Sequence, residues 1–388
     1  MKNCKFLSII SMLLISKTLA ECNDDHFSKF GYSCCKKETT AILTTDRDAD
    51  WGVEDGKWCA INEYCWSLPQ GYPCCKKTTN VTYRDETGNW GFEFGNWCGM
   101  VYGDMYEIAK EYMSKAKIVN PNLGHANDKA EGVTVEKKSY YSNITKGYRK
   151  LNVVLPPNYS TEKKYPVLYL LHGIYGDEDS MLNNGMGTLN VPANLAKENK
   201  AKEMIIVLPN EVALLPGTDP SITKNFSLEH LKVYDNFINE LLNNIMPFIE
   251  YEYSVATGRD NTAIAGFSMG GRTALYIGYT RPDLFGYVAG FSPAWGLTPG
   301  GMDILPGVFP SDEDFKIQNP SEYTPYVTLI STGTADGVVE DYPASYHEIL
   351  EKNQQNHIWI EIEGADHDES AVIVGLYNFV ATLFGILN

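Results

Sequence analysis

The stretch "TAIAGFSMGGRTALYIGYT", Thr262–Thr280, decides how the rest of the chain is read. It opens as a short apolar run of strand type and closes as a helical run, with Gly266-Phe267-Ser268-Met269-Gly270 at the junction. A G-x-S-x-G string between a strand and a helix predicts a sharp turn that exposes a serine hydroxyl at the strand end, above the helix N-terminus. Glycines on both flanks are what such a turn requires, because a side chain there would meet the neighbouring backbone.

Outward from this turn, apolar runs recur at "LNVVLPP", "YPVLYLLHG", "EMIIVLPN", "YVAGFSP", "YVTLISTG" and "HIWIEIEG". Helical stretches separate them, among them "SLEHLKVYDNFINELLNNIMPFI". Such alternation predicts an α/β fold, a mainly parallel sheet with helices on both faces, over residues 118–388. Open sheets of this kind collect reactive groups in the loops at strand ends.

A serine hydroxyl needs a base, and in this architecture the chain order is serine, acid, histidine. Three histidines follow Ser268. His347 lies in a polar-faced helix and His357 opens a strand, so both read as structural. His367, in the loop "GADHDES", is the candidate base. Asp336 in "STGTADG" follows the strand "YVTLIS" and is the candidate acid. Asp303, Asp312, Asp314 and Asp341 are weaker alternatives, and Asp366 and Asp368 adjoin His367 without naturally facing its ring. Acyl transfer also needs donors for an oxyanion. The Met269 amide is one, and the loop after "LYLLHG" offers the Ile174 amide as the other. His172 precedes Ser268 and reads as a residue that fixes its loop.

Together these segments resemble the α/β-hydrolase domains of esterase D type, and specifically the carbohydrate esterase family 1 feruloyl esterases. "YPVLYLLHGIYGDEDS", "AIAGFSMGGRTALYIG", "STGTADG" and "GADHDESAVIVGLYNF" carry the resemblance, over roughly residues 130–388. It implies a Ser268–His367–Asp336 triad, Ile174 and Met269 as oxyanion donors, and neither metal nor cofactor. It also implies feruloylated arabinoxylan as substrate, with acetylxylan as the alternative. Trp295 in "FSPAWG" is a candidate for the acyl pocket.

The N-terminal hundred residues are of a different kind. A basic start, an apolar run from Phe6 to Ser16 and "TLA" ending at Ala20 read as a signal peptide over residues 1–20. Sequons at Asn80, Asn143, Asn158 and Asn225 agree with export. Of nine cysteines, Cys4 leaves with the signal and eight remain, all between Cys22 and Cys98. They fall into two sets, Cys22, Cys34, Cys35, Cys59 and Cys65, Cys74, Cys75, Cys98, within a tandem repeat that shares "WGVEDGKWC" and "WGFEFGNWC". Modules this small need crosslinks. Adjacent Cα atoms sit about 3.8 Å apart, whereas a disulfide wants roughly 4.4–6.8 Å. Neighbours therefore do not pair, and one of each adjacent couple reaches back while the other reaches forward, in either assignment. A zinc site is the competing reading; the even count, export and the lack of CxxC spacing weigh against it.

Residues 21–61 and 64–100 resemble the dockerin modules of anaerobic fungi, through Gly-Tyr-x-Cys-Cys and Trp-Gly-x-Glu-x-Gly-x-Trp-Cys. The resemblance implies a partner-binding face of Tyr32, Asp46 and Trp58 in the first copy and Tyr72, Asp85 and Trp97 in the second, with the scaffold protein of a cellulosome as partner. The first copy departs from the pattern, with Thr44 where the second has Tyr83 and Ala49 where it has Gly88. Carbohydrate binding by the same aromatics is the rival reading. Residues 101–117 read as a connecting segment. The 388-residue chain carries 32 Lys+Arg against 49 Asp+Glu, a net charge of −17. That balance argues against nucleic acid and anionic membrane as partners.

Overall fold

The structure, a computed structural model, describes residues 32–36, 44–45, 50–62, 67, 72, 75, 82–85, 88–93, 95–99, 105–183, 185–300 and 306–387. Cys22, Cys65, Cys74, Asp46 and the signal segment lie outside them. The chain divides into two compact units, Met1–Asp104 and Met105–Asn388.

In the second unit an eight-stranded sheet is built from β1 (Thr134–Ser142), β2 (Gly147–Leu155), β3 (Val167–Leu171), β4 (Ile205–Pro209), β5 (Thr262–Phe267), β6 (Tyr287–Phe291), β7 (Val327–Gly333) and β8 (Ile358–Ile362). Their spatial order is β8-β7-β6-β5-β3-β4-β2-β1. Every pairing from β4 to β8 is parallel, while β2 runs antiparallel to both β4 and β1. This is the α/β-hydrolase arrangement, mainly parallel as the alternation predicts.

Six helices matter to the site: α1 (Met105–Ser114), α2 (Asn190–Lys197), α3 (Leu228–Asp235), α4 (Met269–Thr280), α5 (Tyr342–Lys352) and α6 (Glu369–Val380). The central strands are apolar throughout because both faces are covered. Alternate side chains serve two cores: Leu168 and Leu170 of β3 join Ala263 and Ala265 of β5 and Val374 of α6 on one side. Val167, Tyr169 and Leu171 join Ile264, Leu275 of α4 and Leu350 of α5 on the other.

Two elements depart from the sequence reading. Within 101–117, expected as a connecting segment with some helical character, Met105–Ser114 forms α1 and belongs to the second unit. Ala109 and Tyr112 are buried there, and the Tyr112 hydroxyl donates to the Thr382 carbonyl at 2.7 Å. The run expected as one helix after Ser227 is α3 followed by Phe237–Glu240, a π-turn at Leu241–Ile245 and Met246–Glu252. Pro247 follows the π-turn inside a continuous helical run, and its missing N–H removes one helical hydrogen bond where the register shifts. Among the described residues no helix is long and apolar enough to cross a membrane.

In the first unit each repeat forms its own small sheet. Asp50–Glu54 and Lys57–Asn62 make an antiparallel hairpin in the first, Gly88–Glu93 and Asn96–Gly99 in the second. The cysteine pairing left open by the sequence is resolved for the forward bonds. Cys35 joins Cys59 and Cys75 joins Cys98, with Cα separations of 5.0 and 4.9 Å, so the second cysteine of each couple reaches forward. Cys34 is itself disulfide-bonded. Tyr32 stands edge-on to buried Trp51 at 5.0 Å, and Tyr72 repeats the contact on Trp90 at 4.8 Å.

Close backbone approaches surround the Ser268 turn. A Cβ on Gly270 would lie 2.4 Å from the His172 carbonyl oxygen, and one on Gly266 would lie 2.3 Å from the Gly270 carbonyl. Gly270→Ala is expected to lower stability by about 1–3 kcal/mol in urea unfolding; an unchanged midpoint would contradict this packing.

Candidate active site

Ser268 closes β5 and caps α4 with φ 57° and ψ −120°, a conformation disfavoured for a residue with a side chain. Three backbone hydrogen bonds hold it there. Its amide donates to the Phe291 carbonyl at 2.9 Å, and its carbonyl accepts from Arg272 N–H at 3.0 Å and Ala294 N–H at 2.9 Å. β5 and its parallel neighbour β6 are thereby tied to the turn.

His367 follows β8 and Asp336 follows β7, and the structure joins them. His367 Nδ1 lies 2.8 Å from Asp336 Oδ2. Asp336 Oδ1 accepts the amides of Val338 and Val339, each at 3.1 Å. An aspartate accepting from two amides stays in its acceptor-only form, so His367 donates from Nδ1 and leaves Nε2 as the basic nitrogen. Burial works to raise the Asp336 pKa, but the bonds from His367 and the Val339 amide outweigh it and hold the carboxyl below its ordinary 3.8. The His367 ring packs on Phe267, the residue before Ser268, at 4.5 Å. Asp366 accepts the His367 amide and Asp368 caps α6 through the Ser370 amide, so both serve local turns. Asp314 accepts from the Ser311 hydroxyl, and Asp341 stands at the N-cap of α5.

On the β3 side, Gly173 leaves room for the nucleophile turn, since a Cβ there would lie 3.3 Å from Ser268 Cβ. Ile174, Met269 and Trp295 share one apolar cluster with Leu231, Tyr234, Ala294 and Val339. Met269 is the first residue of α4, where an amide has no helical acceptor. Trp295 packs on Phe226 at 5.5 Å and Tyr342 at 6.0 Å, and its indole N–H has no partner among the described residues.

Three supports were not assigned from sequence. Arg272, one turn into α4, pairs with Asp235 at 2.5 Å and donates twice to the Gly296 carbonyl, which fixes the loop carrying Trp295. The pointer was available: an arginine one helical turn past the serine. His172 behaves as the loop-fixing residue its position suggests, and its partner is Glu211. The Glu211 amide donates to His172 Nε2 at 3.0 Å, while Nδ1 donates to the Gly173 carbonyl at 2.7 Å. Burial pushes the ring's pKa down to about 4, so it stays neutral. The wholly buried Glu211 carboxyl is pushed well above its ordinary pKa by burial. Tyr234 completes the loop by accepting the Tyr175 amide at 3.2 Å.

The fold is that of an α/β-hydrolase, with a strained serine at a strand-to-helix turn. The chain belongs to the family described as "Putative esterase", matched over residues 142–372, and its class is that of the carboxylic ester hydrolases. Residues 22–61 and 64–100 each match a "Cellulose or protein binding domain". Among solved structures, the CE1 ferulic acid esterase of the anaerobic fungus Anaeromyces mucronatus is 51% identical, covering 70% of this chain and 100% of its own, with a TM-score of 0.65. The same enzyme has also been solved with ferulic acid. An endo-1,4-beta-xylanase/feruloyl esterase of Xylanibacter ruminicola is 29% identical over 174 residues, 43% of this chain and 22% of its own length. Feruloyl esterase B of Piromyces equi is 36% identical over 63 residues, 16% of this chain and 11% of its own. The chain thus spans less than a quarter of the length of these two curated relatives.

Asp336→Asn is expected to keep the fold and reduce ester hydrolysis by about 10⁴-fold, because the imidazole tautomer is no longer held. The stability link has a definite sign. A carboxyl whose folded pKa is depressed stabilises above its unfolded pKa and loses that contribution as pH falls through the folded value. The stability gap between wild type and Asp336→Asn in urea unfolding should therefore be full at pH 7 and begin to narrow as pH falls below about 4; a gap that does not narrow on acidification would contradict the assignment.

Proposed function

We propose that the protein is a secreted serine esterase that hydrolyses feruloyl esters on arabinoxylan side chains. The observation that carries this reading is the His367–Asp336 bond at the sheet edge that also ends in the strained Ser268. The 51% identity to a ferulic acid esterase along that enzyme's whole length supports the choice of acyl group.

In the proposed mechanism His367 Nε2 takes the Ser268 proton as Oγ attacks the ester carbonyl carbon. The oxyanion accepts from the amides of Ile174 and Met269, the latter at the positive end of α4. As the tetrahedral intermediate collapses, the imidazolium returns the proton to the departing sugar alcohol, leaving an acyl-Ser268 ester. Water deprotonated by the same nitrogen then releases the carboxylic acid. Asp336 holds the tautomer and stabilises the imidazolium. Trp295 packs one wall of the acyl pocket, braced through Arg272 and Gly296. The chemistry requires neither metal nor cofactor.

The signal segment and cysteine-rich repeats support export and delivery of residues 118–388 by modules at 21–61 and 64–100. Tyr32 and Tyr72 are each 42% exposed, Trp58 47% and Trp97 39%, too open for core residues of a module with any larger core to enter. Asp85 stands in the strand beside Tyr83, and Tyr83 adds an exposed ring 6.2 Å from Trp97. Thr44 in the first module offers no such ring. The proposed partner is a cellulosomal scaffold protein.

Feruloylated arabinoxylan fragments and acetylated xylan, offered separately, should give ferulate release well above acetate release, with Ser268→Ala lowering it by on the order of 10⁶-fold; dominant acetate release would overturn the substrate. For docking, Trp97→Ala should weaken retention on immobilised scaffold protein more than Trp58→Ala, leaving cellulose retention of the wild type at background. Retention on cellulose alone would favour a carbohydrate-binding role.

A further inference from the structure

Two histidines stand outside the proposed chemistry. His347 lies in α5 and His357 immediately precedes β8. His357 Nδ1 lies 2.8 Å from the Gln355 carbonyl, to which it can only donate. Its Nε2 therefore carries the lone pair, and that lone pair faces His347 Nδ1 at 2.7 Å. Glu351 follows His347 by one helical turn, on the same face of α5. One donor atom from each of the three residues lies within 4.8 Å of the others. The His347 ring is stacked flat on Trp359, with centroids 5.0 Å apart and planes 3° from parallel, which limits its rotation.

We infer that His347, Glu351 and His357 form a binding site for one divalent transition ion of the zinc class. Two imidazole nitrogens and one carboxylate oxygen are a borderline donor set that suits such an ion and leaves a fourth position for water. The Gln355 carbonyl on His357 Nδ1 supplies the outer hydrogen bond that orients a ligating imidazole. Without an ion the two rings share a hydrogen bond. With one, bonds of about 2.0–2.1 Å to each nitrogen move the two nitrogens apart to roughly 3.3 Å, and the His347 proton relocates from Nδ1 to Nε2. The site joins α5, the helix that follows the Asp336 loop, to the start of β8, the strand that precedes the His367 loop.

The test is zinc chloride added to the chelator-treated full-length protein, read by titration calorimetry and by thermal melting. One equivalent should bind, and the melting temperature should rise by about 5 °C at a hundredfold excess over Kd. His357→Ala should lose that equivalent. Glu351→Gln, at an exposed position that does not threaten folding, should bind on the order of 10- to 100-fold more weakly. Magnesium chloride should cause no rise, since the donor set is not all oxygen. Cobalt(II) in place of zinc should give visible absorption in the wild type that is lost in His357→Ala. Equal zinc uptake by wild type and Glu351→Gln, or no zinc-dependent shift in the wild type, would overturn the site.

Discussion

One residue held in an unfavourable backbone conformation organises the catalytic unit. Ser268 sits at φ 57° between a strand and a helix, at a cost of about 1–3 kcal/mol that neighbouring contacts must offset. The bonds to Phe291, Arg272 and Ala294 do so directly. Gly266 and Gly270 let the crossing chains approach to distances that no Cβ would tolerate. Because β3, β5, β6, β7 and β8 are parallel, their carboxyl ends lie along one edge. The Ile174 loop, Ser268, Asp336 and His367 all leave the sheet from that edge. The parallel pairing thus turns a linear order of motifs into a shared neighbourhood.

Much of this was legible because the groups concerned follow strands directly. Ser268, Asp336 and His367 each come immediately after an apolar run, and β-strand ends are the easiest landmarks in such a chain. The supports were harder to see, because they depend on pairs distant in sequence. Nothing local marks Glu211 as the partner of His172, 39 residues away, or Asp235 as the partner of Arg272, 37 residues away. Likewise α1 has a pattern too short and mixed to reveal its destination, which depends on one hydroxyl reaching Thr382, 270 residues on. The π-turn before Pro247 left a helical pattern intact while breaking its hydrogen-bond register.

The N-terminal repeats follow another logic. Each is too small for a large core, so a disulfide joins Cys35 or Cys75 to the hairpin that follows, and a tryptophan, Trp51 or Trp90, is buried in the same repeat. The tyrosine standing on that tryptophan is held by an aromatic contact yet remains open to solvent. Repetition could be read from the sequence, and so could the ban on pairing adjacent cysteines. Which cysteine reaches forward depends on pairing between distant segments: in the first repeat Ser33–Cys34 lies parallel to Cys59–Ala60, and Cys35, the next residue, bonds to Cys59.

The proposed chemistry requires that Ser268 forms the covalent bond to the acyl group. The most direct test is mass spectrometry of peptides from the protein after brief exposure to a fluorophosphonate, which leaves a stable phosphonyl adduct on an activated serine. A single adduct on the peptide containing Ser268 is expected, with hydrolysis lost in proportion to labelling. An adduct on a different residue that tracks the loss of activity, or full hydrolysis after complete labelling of Ser268, would contradict it.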